Sequence, residues 1–252
     1  MHNDYSLIEI NESEDYNYIS NTIINSINNV FKKAFEQKKT KIIVNTSLKH
    51  GLPKENINKI AGPVVEAWTQ EIFEEINIDS NNINLIEVNL PTRLDIADLI
   101  LTFKINGKII TVCCDVKSTS YDIPNSGKSP NITSFTRIRD AYTKNPDFIF
   151  LIISIKHRLT TKEKANENKL IDGSFDIMDS HVYDLKYLSD RDLSYNPALG
   201  SGQIQARNIH NVSLTTRTSY EFCKLLDQKY LNSSKRTKED WLREAQKNKW
   251  IK

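Results

Sequence analysis

The chain has 252 residues, of which 38% are hydrophobic and 26% are charged, and its formal net charge is +2. This composition is typical of one globular domain, and it excludes a global basic surface for nucleic acid, so that any such surface must be local. The three cysteines form no CxxC or Cys/His cluster, which argues against a disulfide scaffold and a structural zinc site and favours a reducing cytoplasm.

Neither end of the chain nor any segment inside it predicts a membrane protein. Residues 1–5 lack the basic start and the apolar core of a signal peptide, and no segment has the apolar length of a membrane span. We therefore expect a cytoplasmic location.

Residues before position 91 show clear periodicity. Apolar positions at helical spacing predict a helix from about Glu14 to Phe35, with Ser13 as its N-cap. A second helical region is predicted from about Lys54 to Ile76, where Pro63 marks either a kink or a new first turn. Short strands are predicted over Ile42–Val44 and Ile83–Leu90.

Two apolar, β-branched runs on either side of Asn106-Gly107 predict a β-hairpin, because both central residues of a type I′ turn take positive φ. With Ile105 opposite Lys108, counting back along both strands places Asp98 opposite Asp115. Their Cβ atoms would then lie about 5 Å apart on one face of the hairpin.

Opposed carboxylates destabilise a sheet unless a cation lies between them. A divalent metal held by Asp98 and Asp115, with Lys117 beside it on the same face, explains the pair, and Mg²⁺ suits such ligands. The alternative is a solvated strand end where Asp115 contacts Lys117. A β-bulge would shift the register, and Asp95 is the rival of Asp98.

The segment after the hairpin predicts a crossover to a parallel strand. A loop is predicted over Tyr121–Ser129 and a helix over Ile132–Tyr142. Asp147–Ile155 contains a continuous apolar run of the kind buried on both faces of a parallel sheet. We therefore expect a mixed sheet in which this strand lies parallel to the one that carries Asp115.

The last third of the chain predicts a surface connection, two strands and then helices. The charged residues Thr160–Lys169 form the connection, and strands are predicted over Val182–Leu188 and Gln203–Gln205. Thr237 and Asp240 form a capping box at the start of a C-terminal helix. We expect one α/β domain over residues 1–252, with a helical N-terminal element over 1–40 and a mostly helical subregion over 200–252.

Several segments resemble the type II restriction endonucleases of the PD-(D/E)xK superfamily. Similarity to the HincII and EcoRV kind lies in Asp95–Ile100, Asp115–Ser118 and Ser129–Ile132. Similarity to the HpaI family lies in Asn58–Pro63, Asp122–Pro124, Ser126–Phe135 and Asn196–Gly200, and it extends from about Lys41 to the C-terminus. One departure is Ala97, which occupies the place of the family's usual proline before the first acid.

The resemblance implies a restriction-endonuclease-like mixed β-sheet flanked by helices and a Mg²⁺-dependent site-specific deoxyribonuclease. Water would attack a phosphodiester of double-stranded DNA in line, at a short palindromic site. By resemblance this site is GTTAAC, cut at its centre to blunt ends, with a degenerate GTYRAC-like site as the fallback. A homodimer with residues 1–40 as its dimerisation element follows, and a cognate DNA methyltransferase would act on the same site without binding the chain.

The resemblance also assigns roles to the acidic hairpin. Asp98 and Asp115 would ligate the metal, together with the backbone carbonyl of Val116. Lys117 would orient or help to deprotonate the attacking water. Glu66 matches a glutamate that family members recruit from a nearby helix, although it also fits the polar edge of an amphipathic helix.

Two loops are predicted to contact DNA. Lys128, Ser129 and Asn131 match a loop that enters DNA, where Asn131 can bond an adenine edge; its alternative role is the N-cap of the following helix. Ser201 and Gln203 match a second recognition loop, or else a plain turn before a strand.

Other polar residues are predicted with less specific roles. Arg137, Arg139 and Arg207 are candidate phosphate contacts. His157 and His210 show no spacing typical of metal binding or nucleophilic catalysis, and we interpret them as ordinary polar residues. Two other classes remain open, a structure-specific repair or recombination nuclease on the same scaffold and a non-catalytic DNA-binding module.

Overall fold

A computed structural model describes residues 6–45, 54–78, 84–91, 96–163, 170–198 and 200–252. The helices are α1 (Tyr16–Glu36), α2 (Lys54–Lys59), α3 (Ala61–Ile78), α4 (Phe135–Lys144), α5 (Ser219–Leu231) and α6 (Lys238–Lys247). The strands are β1 (Lys41–Asn45), β2 (Leu85–Asn89), β3 (Leu99–Ile105), β4 (Lys108–Ser120), β5 (Asn131–Ser134), β6 (Phe150–Glu163), β7 (Leu170–Asp184), β8 (Leu193–Asn196) and β9 (Gln203–Ala206). Asp95 and the predicted strand start at Ile83 lie outside the described ranges.

The larger sheet has six strands in the order β1-β7-β6-β4-β3-β2. Strands β4 and β6 are parallel, and every other neighbouring pair in this sheet is antiparallel. This confirms the predicted mixed sheet and its crossover. A smaller sheet, β5-β9-β8, packs beside it and was not predicted.

Strand β6 is buried on both faces of the larger sheet, as its apolar run predicted. Leu151 and Ile153 pack in a core beneath α1 and α3. Phe150 and Ile152 pack on the opposite face, in a second core that includes residues of α4, α5, α6 and β9. Each face of the central strand therefore stabilises a different layer of the protein.

The predicted hairpin is confirmed as strands β3 and β4. Asn106 has φ 49° and Gly107 has φ 79°, and the register runs from Ile105 opposite Lys108 to Leu99 opposite Cys114. The ladder ends there. The predicted pairing of Asp98 with Asp115 across the ladder is therefore wrong. Instead, the N–H of Asp98 donates to the carbonyl of Cys114 at 2.9 Å.

Two predicted helix starts were wrong, because long-range contacts replaced the local caps. Helix α1 has Asp15 at its N-cap position, whereas Ser13 bonds Asp147 through both its N–H and its hydroxyl. Helix α4 has Ser134 at its N-cap position, because residues 131–134 pair with β9 as strand β5. Asn131 is therefore not a helix cap.

Other predicted elements were confirmed or extended. The second helical region divides into α2 and α3, with Pro63 in the first turn of α3. Strand β6 extends into the predicted connection as far as Glu163, and β7 begins directly after it at Leu170. The predicted strand over Val182–Leu188 is the end of β7, which stops at Asp184 before a short 3₁₀ helix. The capping box of Thr237 and Asp240 is present at α6.

Helix α1 packs its apolar face into the core beneath the larger sheet. The role of residues 1–40 in dimerisation stays a prediction. No helix in the described ranges is long and apolar enough to cross a membrane.

Helices α4 and α5 are joined by a buried ion pair. Arg139 donates to both carboxylate oxygens of Asp227, with Nε 3.1 Å from Oδ1 and Nη2 3.1 Å from Oδ2. The side chains are only 3% and 7% exposed, and the guanidinium also stacks 5.0 Å from the ring centroid of Trp250. The predicted phosphate contact through Arg139 is therefore wrong.

Replacing Arg139 by alanine leaves the carboxylate of Asp227 buried without its partner. We expect the free energy of unfolding at pH 7 to fall by about 3–5 kcal/mol. Urea denaturation followed by circular dichroism measures this loss. Lys144→Ala, which removes a 75% exposed lysine from the same helix, is the control, and equal midpoints for the two variants would contradict the prediction.

Candidate active site

The structure brings Asp98, Asp115 and Lys117 together where β3 begins and β4 approaches its end. The ammonium Nζ of Lys117 donates to Oδ1 of Asp115 at 2.7 Å and lies 3.8 Å from Oδ2 of Asp98. The same Oδ2 of Asp98 accepts from the N–H of Val116 at 2.9 Å. Two carboxylates therefore share one ammonium, although they are not paired across the ladder.

Asp115 is the buried centre of this group, with 3% of its surface exposed. Its Oδ2 has no hydrogen-bond partner among the described residues. Burial raises the pKa of Asp115 to about 8, although Lys117 lowers it, and the charges of Asp98 and Glu66 raise it further. An orphaned carboxylate oxygen in this environment fits a metal ligand, because a cation would compensate the buried charge.

Glu66 approaches the same group from α3, which packs against β4. Burial raises the pKa of Glu66, the charge of Asp98 raises it further, and Lys117 opposes both effects. The carboxylate therefore lies within electrostatic range of the hairpin acids. Whether it is catalytic or the polar edge of its helix stays a prediction. Three carboxylates and one ammonium carry a net charge of −2 when all are ionised, which a divalent cation would balance.

Val116 lies between Asp115 and Lys117 but places its side chain in the core on the opposite face of the sheet. Its N–H orients Asp98. Whether its carbonyl ligates a metal stays a prediction.

A cleft of about 520 Å³ lies over these acids. Its floor contains Asp98, Asp115 and Lys117, and the small sheet with the start of α4 supplies the facing wall. The predicted recognition residues Ser201 and Gln203 lie in this wall. Sequence reasoning missed Thr133 and Ser134, which also line it, and it found Arg137 only as one of several basic residues.

The wall is held in one conformation around Gly202, which has φ +89°. A Cβ on Gly202 would lie 2.2 Å from the hydroxyl oxygen of Tyr195, so only glycine fits. That hydroxyl donates to the carbonyl of Ser201 at 2.7 Å and accepts from Nε of Arg236 at 2.8 Å. The hydroxyls of Ser201 and Ser134 lie 3.1 Å apart, which joins the turn before β9 to the end of β5 at the cleft.

The other predicted DNA contacts lie outside the residues that line the cleft. The side-chain amide of Gln205 donates to Oδ1 of Asn131 at 3.0 Å and to the carbonyl of Ser129 at 3.1 Å. Lys128 and Arg207 are exposed. The first loop and the second therefore meet through Gln205, although only the second reaches the acids.

A mixed sheet that delivers two aspartates and a lysine to the floor of a polar cleft defines the restriction-endonuclease-like class of the PD-(D/E)xK nucleases. Comparison with known proteins supports this class. The solved structure of the NlaIV restriction endonuclease aligns with a TM-score of 0.50 over 88% of this chain and 87% of that one, at 14% sequence identity, which shows a shared fold.

Sequence comparison then gives the family. The model of the family described as type II restriction endonuclease HpaI matches residues 3–249. The type II restriction enzyme HpaI of Haemophilus parainfluenzae is 54% identical over 242 residues, which cover 96% of this chain and 95% of that enzyme. The chain belongs to the HpaI family of type II restriction endonucleases.

The raised pKa of Asp115 predicts the pH dependence of stability in the metal-free protein. Because the folded chain holds this proton up to about pH 8 and an ordinary aspartate releases it near 3.8, stability falls as the pH rises between these values. Asp115→Asn removes that contribution. The unfolding temperature of this variant should therefore rise relative to that of the parent as the pH increases across this range. Calorimetry in EDTA measures the difference.

Glu239→Gln, which replaces an exposed acid on α6, is the control for this experiment. Its profile should remain parallel to that of the parent. A parallel profile for Asp115→Asn would contradict the buried, partly uncompensated carboxylate.

Proposed function

We propose that the chain cleaves double-stranded DNA at GTTAAC, between the central T and A, to leave blunt ends. The observation that carries this proposal is the orphaned oxygen of Asp115 beside Lys117 on the floor of a polar cleft. Membership of the HpaI family and 54% identity to HpaI support the site-specific reaction. The reaction takes place in the cytoplasm, and a cognate DNA methyltransferase modifies the same site.

Asp98 and Asp115 would hold Mg²⁺, with the carbonyl of Val116 as a further ligand and Glu66 beside them. The donor set consists of oxygen atoms, which Mg²⁺ prefers. When bound there, the ion would supply Lewis-acid chemistry that favours attack of water on the phosphate. Asp98 is already oriented for this role by the N–H of Val116.

Lys117 acts as a cation and hydrogen-bond donor. Although burial lowers the pKa of its ammonium, Asp115 and Asp98 raise it more, so that the value lies above that of an ordinary lysine. The group is therefore protonated at neutral pH. It orients the attacking water and stabilises the negative charge that develops on the phosphate.

A palindromic site and a blunt cut require one such cleft on each DNA strand, so the enzyme acts as a two-fold homodimer. Ser201 and Gln203 lie on the cleft wall opposite the acids and are positioned to contact bases next to the cut. Lys128, Ser129 and Asn131 contact the flanking part of the site. Helix α1 is the candidate dimerisation element.

Lys117→Ala and Asp115→Asn should each lower the rate of cleavage by at least about a hundredfold, because each removes charge stabilisation at the reacting phosphate. The measurement uses a plasmid with a single GTTAAC site and Mg²⁺, followed by sequencing of the ends. Gel-shift binding in Ca²⁺ should be retained by Asp115→Asn. Glu66→Gln should also reduce cleavage, whereas full activity would make Glu66 a structural residue.

Three results of this experiment would contradict the proposed function, and each would indicate a different one. If the parent protein binds the site but does not cut DNA with any divalent metal, it is a non-catalytic DNA-binding module. Cleavage of branched DNA without discrete products from the plasmid would indicate a structure-specific nuclease. Discrete fragments with GTYRAC ends would replace the proposed site by the degenerate one.

Gln203→Ala should relax base preference and weaken specific binding by about 1–3 kcal/mol, because a side chain that reads a base edge discriminates by that amount. Binding to GTTAAC and to single-substitution duplexes measures both effects. Asn131→Ala gives the same test for the first loop. Lys247→Ala, a substitution on α6 away from the cleft, is the control, and unchanged discrimination in both loop variants would exclude these residues from base recognition.

A further inference from the structure

A second group of side chains of the types that ligate metals lies outside the cleft. Asp179 and His181 come from β7, and His210 comes from the segment after β9. Their ligand atoms all lie within 4.8 Å of one another. The Nε2 atoms of His181 and His210 lie 3.2 and 3.4 Å from the same Oδ2 of Asp179.

The two nitrogen–oxygen separations match the geometry of a small tetrahedral site. Zinc–nitrogen and zinc–oxygen bonds of about 2.0–2.1 Å place neighbouring ligand atoms roughly 3.3 Å apart around a tetrahedron. Two imidazoles and one carboxylate leave the fourth position for water. Asp179 is 53% exposed and His181 is 41% exposed, so an ion can enter from solvent.

His210 has the support that metal-ligating histidines require. Its Nδ1 lies 2.9 Å from the hydroxyl of Ser154, a fully buried residue, and its carbonyl accepts from the hydroxyl of Tyr183 at 3.2 Å. A hydrogen bond to the other ring nitrogen fixes the ring and directs Nε2 toward the ion. The ring of His181 stacks on Tyr183 with an interplanar angle of 9°.

Strand β7 is irregular next to Asp179. Asp179 pairs with Lys156, and the next pair joins Ile177 to His157, so Met178 is the extra residue of a β-bulge. Bulges re-aim side chains and are frequent beside functional sites. The nearby ammonium of Lys156 lies 5.1 Å from the ring centroid of Tyr121, which gives that cation a partner outside the cluster.

We infer that Asp179, His181 and His210 bind one divalent transition-metal ion, with Zn²⁺ as the best match to their ligand chemistry. Imidazole nitrogens favour such ions over Mg²⁺, which prefers oxygen. The ion fixes the segment after β9 to the larger sheet and so steadies the strand that carries Gln203. This site is independent of the proposed cleavage reaction.

The sequence contains no Cys/His cluster typical of structural zinc and no metal-binding spacing around His210, so this site was not predicted. The cluster joins two residues of one strand to a third that lies 29 positions beyond His181 in the sequence, so no spacing motif marks it. Only the pairing of β6 with β7 and the return of the chain after β9 bring the three together.

Equilibrium dialysis of the full-length, tag-free protein against ZnCl₂ tests the inference. The chain is first stripped with EDTA, and excess Mg²⁺ is present throughout so that the oxygen ligands of the cleft do not bind zinc. We expect one zinc ion per chain at this site, and at least about tenfold weaker binding in Asp179→Asn, His181→Ala and His210→Ala. Zinc should also raise the unfolding temperature of the parent more than that of these variants.

Asp176→Asn is the matched control, because it changes an acid three residues away on the same strand. It should bind zinc as the parent does, and so should Asp115→Asn, which alters only the cleft. His2 and His50 remain in every variant, so zinc bound there cancels in the comparison. No zinc binding, or equal affinity in the parent and the His181→Ala/His210→Ala double variant, would overturn the site and leave the proposed cleavage untouched.

Discussion

The contact between Lys117 and Asp115 is the interaction on which the candidate active site depends. A carboxylate buried at the middle of a sheet is costly unless it is paired, and here one oxygen has the lysine while the other has no partner in the described residues. The larger sheet enforces this arrangement, because β4 is held between β3 and β6 and cannot move the side chain into water. The fold thus holds a buried carboxyl group with one unpartnered oxygen at the floor of the cleft, where a metal ion would compensate its charge once it ionises.

The smaller sheet completes this arrangement from the other side. Strands β5 and β9 place Ser134, Ser201 and Gln203 across the cleft from the acids, and α4 follows directly from β5. Gly202 and Tyr195 fit so closely that the turn has little freedom. Residues proposed to read bases are therefore positioned rigidly against residues proposed to cut the backbone, which ties the choice of site to the position of the cut.

Elements whose signals are local could be predicted from the sequence. The turn at Asn106-Gly107 sets the hairpin register through the positive φ angles of its two residues. The continuous apolar run of β6 predicts that this strand is buried on both faces of the sheet, as it is. The same register failed at one residue, Asp98, because a backbone hydrogen bond to Cys114 ends the ladder there. The predicted proximity of the acids is nevertheless present, since the ammonium of Lys117 donates to Asp115 and lies 3.8 Å from Asp98.

Features that depend on distant partners could not be predicted. Ser13 bonds Asp147 instead of capping α1, Asn131 enters a strand because β9 pairs with it, and Arg139 is buried by Asp227. In each case the residue type fits two local roles equally well. The choice between them is made by a residue more than 70 positions away in the sequence, which no local pattern records.

The two proposed metal sites lie on one face of the larger sheet. The type of ligand at each site, rather than the distance between the sites, determines which ion each would bind. Lys117 is paired with Ser154 on β6, and Ser154 is paired with His181 on β7, so these three side chains form a row across two strand spacings of about 4.8 Å each. A hard ion and a borderline ion could both reach this face. Carboxylate oxygens select the first at Asp98 and Asp115, whereas imidazoles select the second at His181 and His210. Ser154 lies in the middle of the row and its hydroxyl holds only His210, so the sheet separates the two sets of ligands although they share one face.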